Sequence, residues 1–153
     1  GITFLHPESC FLFTGGVDDV WVDPAGALIV VDYKATAKNG EVNLDAEWQG
    51  GYKRQMEMYQ WLFRQNGFTV SPTGYFVYCN GKTDREAFDG KLEFDVVILP
   101  YVGNDAWVAD ALVEARRCHE AHAIPAPKEL CEEREKRKFN KRLYLWYNFD
   151  CNS

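Results

Sequence analysis

Two apolar runs, Phe11–Val22 and Ala27–Ala35, flank the short break Pro24-Ala25-Gly26. Proline first and glycine third suit a three-residue hairpin loop, whose last position takes the left-handed backbone. Pairing Asp23 with Ala27 then fixes the register of two strands. Val22 falls opposite Leu28, Val20 opposite Val30 and Asp18 opposite Asp32. Because side chains alternate along a strand, these pairs share one face, and Lys34 lies two residues further along it. Beyond the polar, glycine-containing stretch Thr36–Gly51, Tyr52, Met56, Tyr59 and Phe63 recur at helical spacing, which predicts a helix over Tyr52–Gln65 stopped by Asn66-Gly67. Thr73–Cys79 reads as a strand rich in aromatic and β-branched residues, with Asn80-Gly81 as a turn. Glu93–Val102 reads as another strand, weakened or ended near Pro100. Asn104 or Asp105 is placed to cap a helix running to about His122, before Pro125 and Pro127. Glu129–Arg142 has a charged helical pattern, and the aromatic stretch Leu143–Phe149 follows it. The order strand, strand, helix, strand, strand, helix predicts an α/β layer around a mixed sheet.

The predicted hairpin carries chemistry. Its apolar face ends in two acids and a lysine. Directly opposed residues have Cβ atoms roughly 4.5–5.5 Å apart, where like charges repel. A divalent cation would compensate, and the neighbouring lysine would hold a water or a developing negative charge. Cation and carboxylates together meet the needs of phosphodiester hydrolysis, polarising phosphate oxygens and lowering the pKa of bound water. Hard oxygen ligands favour Mg²⁺ or Mn²⁺ over zinc. A bare Asp-x-Lys is also an ordinary ion pair on many solvated faces. Here the opposed Asp18, the apolar face and the helix that follows favour a site. On that helix Gln55 and Tyr59 stand at i and i+4, hence on one side. The glutamine would orient water or phosphate, and the tyrosine would contact a nucleic-acid backbone; the plainer alternative is a surface glutamine beside a core tyrosine.

Composition sets the limits. The chain has 153 residues, 46% hydrophobic and 26% charged, which describes a globular protein. A single domain over residues 1–153 is expected, with a real core. The abrupt start at Gly1 and the basic, aromatic segment 128–153 suggest a fragment of a larger protein. No apolar run is long enough to span a bilayer. Cys10, Cys79, Cys118, Cys131 and Cys151 are odd in number and irregularly spaced. They read as reduced thiols in a reducing, cytoplasmic compartment. The net charge of −6 argues mildly against a protein that coats nucleic acid, but not against one whose carboxylates hold a cation. Locally the balance reverses: Arg134, Lys136, Arg137, Lys138, Lys141 and Arg142 form a basic run able to follow a phosphate backbone, with Tyr144, Trp146 and Tyr147 available to stack.

Gly15-Gly16-Val17-Asp18, Ile29-Val30-Val31-Asp32-Tyr33-Lys34 and Gln55-Met56-Glu57-Met58-Tyr59 together resemble the successive motifs of PD-(D/E)XK nucleases, in particular the RecB-like branch that includes CRISPR-associated and recombination exonucleases. The resemblance covers roughly Phe11–Tyr78, and the ordered triplet of motifs is far more specific than any one of them. It implies a restriction-endonuclease-like fold, a central mixed sheet flanked by helices, and Mg²⁺- or Mn²⁺-dependent cleavage of DNA, single-stranded or at duplex ends. It makes Asp18, Asp32 and the Tyr33 carbonyl metal ligands. It makes Lys34 the water-orienting or charge-stabilising group, and Gln55 and Tyr59 the supporting pair. Further domains or subunits of a larger nuclease complex are the implied partners. The alternative is a catalytically inactive nucleic-acid-binding or assembly module that keeps the fold.

The chain departs from that pattern twice. The helix that usually precedes the first aspartate, with its own acid or histidine, has no counterpart before Asp18, and His6 and Glu8 read as loop residues. Several RecB-like members also bind an iron–sulfur cluster through C-terminal cysteines. Here Arg134 stands where the Cys-x-x-Cys partner of Cys131 would be, so no cluster is expected. Cys118, His119 and His122 lie within about a helical turn, but a structural zinc site would need a ligand from elsewhere.

Overall fold

The computed structural model describes residues 1–37, 40–46, 49–84 and 90–121. The described residues divide into two compact units, one of Gly1–Phe4 with Phe13–Val108, the other of Leu5–Leu12 with residues 109–121. A two-stranded sheet of β1 (Ile2–His6) and β2 (Phe11–Gly15) opens the chain. A four-stranded sheet follows in the order β3 (Asp19–Val22), β4 (Leu28–Thr36), β5 (Thr73–Gly81) and β6 (Phe94–Val102). Helix α1 (Gly50–Gln65) connects β4 to β5, and α2 (Val108–Glu120) follows β6. The sheet is mixed: β4 and β5 run parallel, while β3–β4 and β5–β6 are antiparallel. Two parallel neighbours cannot be joined by a hairpin, and α1 supplies the crossover they require.

The turn after β3 forms as its sequence dictates. Asp23 N–H donates to the Ala27 carbonyl at 3.0 Å, and Gly26 takes φ +86°. Asp23 stabilises the loop further: its Oδ1 accepts the N–H groups of Ala25 and Ala27, each at 2.8 Å. The register is as expected, with Val22 opposite Leu28, Val20 opposite Val30 and Asp19 opposite Val31. The end of α1 is equally legible. Phe68 N–H bonds the Phe63 carbonyl, Gly67 N–H bonds that of Arg64, and Gly67 adopts φ +83°. Phe63 and Phe68 then meet edge to face at 5.8 Å, completing a Schellman motif with its apolar clasp.

Three sequence expectations need correction. Phe11–Val22 is not one strand: β2 ends at Gly15, and β3 begins at Asp19 in the other sheet. A Cβ on Gly15 would stand 2.9 Å from the Tyr59 ring and 3.0 Å from Leu62. The missing side chain therefore lets α1 close on the chain where one strand stops, and Gly15-Gly16 offers little for a sheet to pack. Asn80-Gly81 is not a turn but the end of β5, paired with Asp95 and Phe94. Pro100 does not end β6, which continues to Val102. That strand is at the sheet edge, where a missing N–H costs no ladder bond.

The core lies between α1 and one face of the larger sheet. Val30, Val42, Met56, Val70, Phe76 and Tyr78 are buried together. Packing is tight enough that a methyl on Gly74 would lie 2.4 Å from Met56 Sδ and 3.0 Å from the Val30 carbonyl oxygen. One buried acid anchors α1 to β6 and the segment after it. Glu57 accepts hydrogen bonds from the Tyr101 hydroxyl at 2.6 Å, Asn104 N–H at 3.1 Å and Trp107 Nε1–H at 2.7 Å. Burial first, then the bond to Glu57 and its charge, pushes the Tyr101 phenol from 10.0 up to about 12. A phenol with a raised folded-state pKa contributes stability that is complete below pH 10 and is lost as pH rises from there through about 12. Tyr101→Phe is therefore expected to flatten the alkaline loss of stability across that window, measured as urea midpoint against pH beside wild type.

Cys79 and Cys118 are free thiols, but Cys10 is disulfide-bonded. The reading of all five cysteines as reduced is thus corrected at Cys10, because spacing along a chain does not reveal which sulfurs meet in space. Among the described residues no helix is long and apolar enough to cross a membrane. The segments Glu129–Arg142 and Leu143–Phe149, with Arg134, Lys136, Arg137 and Lys138, lie outside the described residues.

Candidate active site

Val30, Asp32 and Lys34 alternate onto the α1 face of β4, beside Phe76 and Tyr78 of β5. The apolar row gives way to charge at the carboxyl end of a parallel strand, where open α/β sheets place their ligands. Asp32 is 2% exposed and buried by the same packing that forms the core. Its Oδ2 stands 2.5 Å from Lys34 Nζ, a close contact not aligned as a hydrogen bond, so among the described residues this buried oxygen has a charge partner but no aligned donor. Burial pushes the Asp32 carboxyl above its ordinary value; the Lys34 ammonium pulls it back, and the Asp18 charge adds to the rise.

Asp18 lies just before β3, and its Oδ2 accepts the Tyr33 N–H at 3.0 Å. This bond ties the first acid to the backbone next to Asp32. The adjacent Asp19 belongs to the opposite face. Its carboxylate accepts the Tyr33 hydroxyl at 2.8 Å, the Trp21 indole N–H at 3.2 Å and the Val20 N–H at 2.8 Å. These bonds, the one from Tyr33 foremost, hold it below the usual carboxylate range. Two neighbouring aspartates therefore have different fates, one satisfied by side chains within the sheet and one bonded to the backbone beside Asp32.

Helix α1 adds the third part. Lys34 Nζ donates to Gln55 Oε1 at 3.3 Å, and Gln55 Nε2 donates to the Tyr59 hydroxyl at 2.8 Å. The helical i, i+4 spacing thus becomes a relay of contacts that ends on the lysine. Sequence reasoning placed Tyr52 only among the helix's apolar positions. Its ring lies under Lys34 Nζ, 4.3 Å from ring centre to nitrogen. Its position three residues before Gln55 was the available signal. Gln49, also missed, is buried and donates to the Asn43 carbonyl at 2.7 Å and the Tyr78 hydroxyl at 3.3 Å, fastening the loop that precedes α1.

The donor set fits a hard divalent cation. Asp18 and Asp32 offer carboxylate oxygens, and Asp32 retains a buried oxygen without an aligned donor. Among the described residues no group of three His, Cys, Asp or Glu side chains converges. Two carboxylates are what Mg²⁺ commonly takes from protein, with water and phosphate oxygens filling the remaining positions. Other candidates are placed elsewhere. His6 is buried at the end of β1, with Nδ1 2.9 Å from Ser9 Oγ, so it belongs to that hairpin's turn. Cys118 and His119 lie on α2, where the His119 ring meets Phe11 edge to face at 6.2 Å, and His122 lies outside the described residues.

Comparison with known proteins bears on the whole arrangement. No curated protein and no solved structure matches the chain. A family model does match, over residues 2–138, well beyond the Phe11–Tyr78 stretch that carries the motifs. A match of that extent, on a mixed sheet whose parallel strand β4 carries Asp32-Tyr33-Lys34, establishes that the chain belongs to the PD-(D/E)XK nuclease superfamily.

Proposed function

We propose that the protein is a Mg²⁺- or Mn²⁺-dependent deoxyribonuclease of the RecB-like branch, acting as an exonuclease on DNA ends in repair, recombination, phage or CRISPR-type processing. The observation that carries this reading is the junction of Asp18, buried Asp32 and Lys34, with Lys34 held by Gln55 and Tyr59. Asp18, Asp32 and the Tyr33 carbonyl would hold the cation. Bound there, the cation supplies Lewis-acid polarisation of the phosphate and a water of lowered pKa. Lys34 places its ammonium beside the reacting phosphate, where negative charge develops. Gln55 holds the ammonium from the helix side, and Tyr59 fixes the Gln55 amide. A binding module without turnover would have no need of this lysine arrangement, so the geometry supports the enzyme over the inactive alternative. The DNA substrate supports action inside the cell, and the basic residues Arg134, Lys136, Arg137 and Lys138 would add phosphate contacts.

End-labelled single-stranded and duplex DNA incubated with the protein should be degraded progressively from its ends when Mg²⁺ or Mn²⁺ is present, and EDTA should stop the reaction. Intact DNA under every metal condition, or cleavage undiminished by EDTA, would count against the reading.

A further inference from the structure

We infer that Tyr52 is a positioning residue for Lys34, its ring face fixing the ammonium in the place from which it acts. The inference rests on the nuclease reading for its catalytic consequence, but the contact itself does not. Lysine carries its charge on a flexible four-carbon stem, so a defined position needs restraints from several directions. Three are present: Asp32 Oδ2 at 2.5 Å, Gln55 Oε1 at 3.3 Å and the Tyr52 ring at 4.3 Å. The first is shared, because a carboxylate that ligates a cation gives up part of its attraction for the ammonium. The second is a long bond to a neutral oxygen. The ring is the restraint that no cation competes for.

Its chemistry suits the task. An ammonium has three donors. A further carbonyl or carboxylate would commit another of them. A ring face attracts the charge diffusely, through its quadrupole, and leaves an N–H available for a water or phosphate oxygen. The attraction is stronger where water is excluded, and the Lys34 side chain is only 16% exposed. Tyr52 also stands on α1 three residues before Gln55, so one helix face delivers both neutral restraints. The core packs against Tyr52 and holds the ring in place.

The test uses the full chain, single-turnover cleavage of labelled DNA in Mn²⁺, and proton NMR of the metal-free protein. Tyr52→Leu, which keeps apolar bulk, is expected to slow cleavage about tenfold while DNA affinity changes less than about twofold. Tyr52→Phe and Tyr52→Trp should recover most of that loss, since each restores a ring face. A purely structural role would instead lower the melting temperature and affinity together. In the NMR spectrum the Lys34 ε-protons, assigned by their disappearance in Lys34→Arg, should lie upfield of the other lysines in wild type and Tyr52→Phe, and return to the common position in Tyr52→Leu. If Tyr52→Leu does not fold, Tyr52→Met takes its place. Wild-type rate in the leucine variant, a phenylalanine variant as slow as leucine, or unshifted Lys34 protons in wild type would each overturn the assignment. Ring-shifted Lys34 protons in a wild-type protein that cleaves no DNA would overturn the nuclease reading and leave the contact standing.

Discussion

Asp32→Asn is expected to abolish both the thermal response to metal and the cleavage of DNA. The substitution removes a charge while nearly preserving shape, so the fold built around this buried position should persist. In wild type, a cation present at a hundred times its Kd stabilises by about 2.7 kcal/mol, on the order of 5–10 °C for a chain of this size. That rise in Tm should largely vanish in the variant, because one of two carboxylates is gone and Asp18 alone holds a cation poorly. Cleavage should fall by roughly 10³-fold or more, as when a member of a catalytic unit is removed. Differential scanning fluorimetry with and without Mn²⁺, beside the DNA assay, gives both readouts. Equal metal-induced shifts in wild type and variant would place the cation away from Asp32.

Lys34→Ala should separate binding from chemistry. Its side chain stands beside the acids without being a ligand, so the metal-induced rise in Tm should be kept, or enlarged because a repelling charge has left. Cleavage should fall about 10²–10³-fold in kcat, the loss expected when one preorganised charge-stabilising group is deleted. DNA affinity should change little, since one ammonium contributes only a small part of a phosphate-binding surface. Undiminished kcat would remove Lys34 from the mechanism. Loss of the metal response together with activity would show that Lys34 acts by holding Asp32 in place.

Local chemistry made much of this protein legible from its residues. The Pro24-Ala25-Gly26 loop has one comfortable backbone path, and Asp23 bonds it from within. That path sets the strand register, and the register sets which side chains share a face. The Asn66-Gly67 stop worked for the same reason: a left-handed residue after a helix is a local requirement that glycine meets. The relay from Gln55 to Tyr59 follows from helical spacing alone. These features depend on neighbours a few residues away, and the sequence prints those neighbours side by side.

What the sequence could not reveal was decided by approach in three dimensions. Gly15 and Gly16 continue an apolar pattern, yet the strand breaks there because α1 presses Tyr59 and Leu62 against a position with no side chain. Pro100 is tolerated because β6 is an edge strand, a fact set by sheet order rather than by local composition. Asp18 and Asp19 are identical neighbours in the sequence, but the pleat sends one to the Tyr33 N–H and the other to the Tyr33 hydroxyl. Tyr52 looked like one more apolar position on a helix until the crossover laid that helix over the end of β4 and put Lys34 on its ring. Sequence determined the β3–β4 turn and its register, the stop of α1 and the identity of the charged residues. Tertiary structure decided which of them are buried, and burial turns an ordinary Asp-x-Lys into a desolvated pair, because charges removed from water are shaped by their few remaining neighbours.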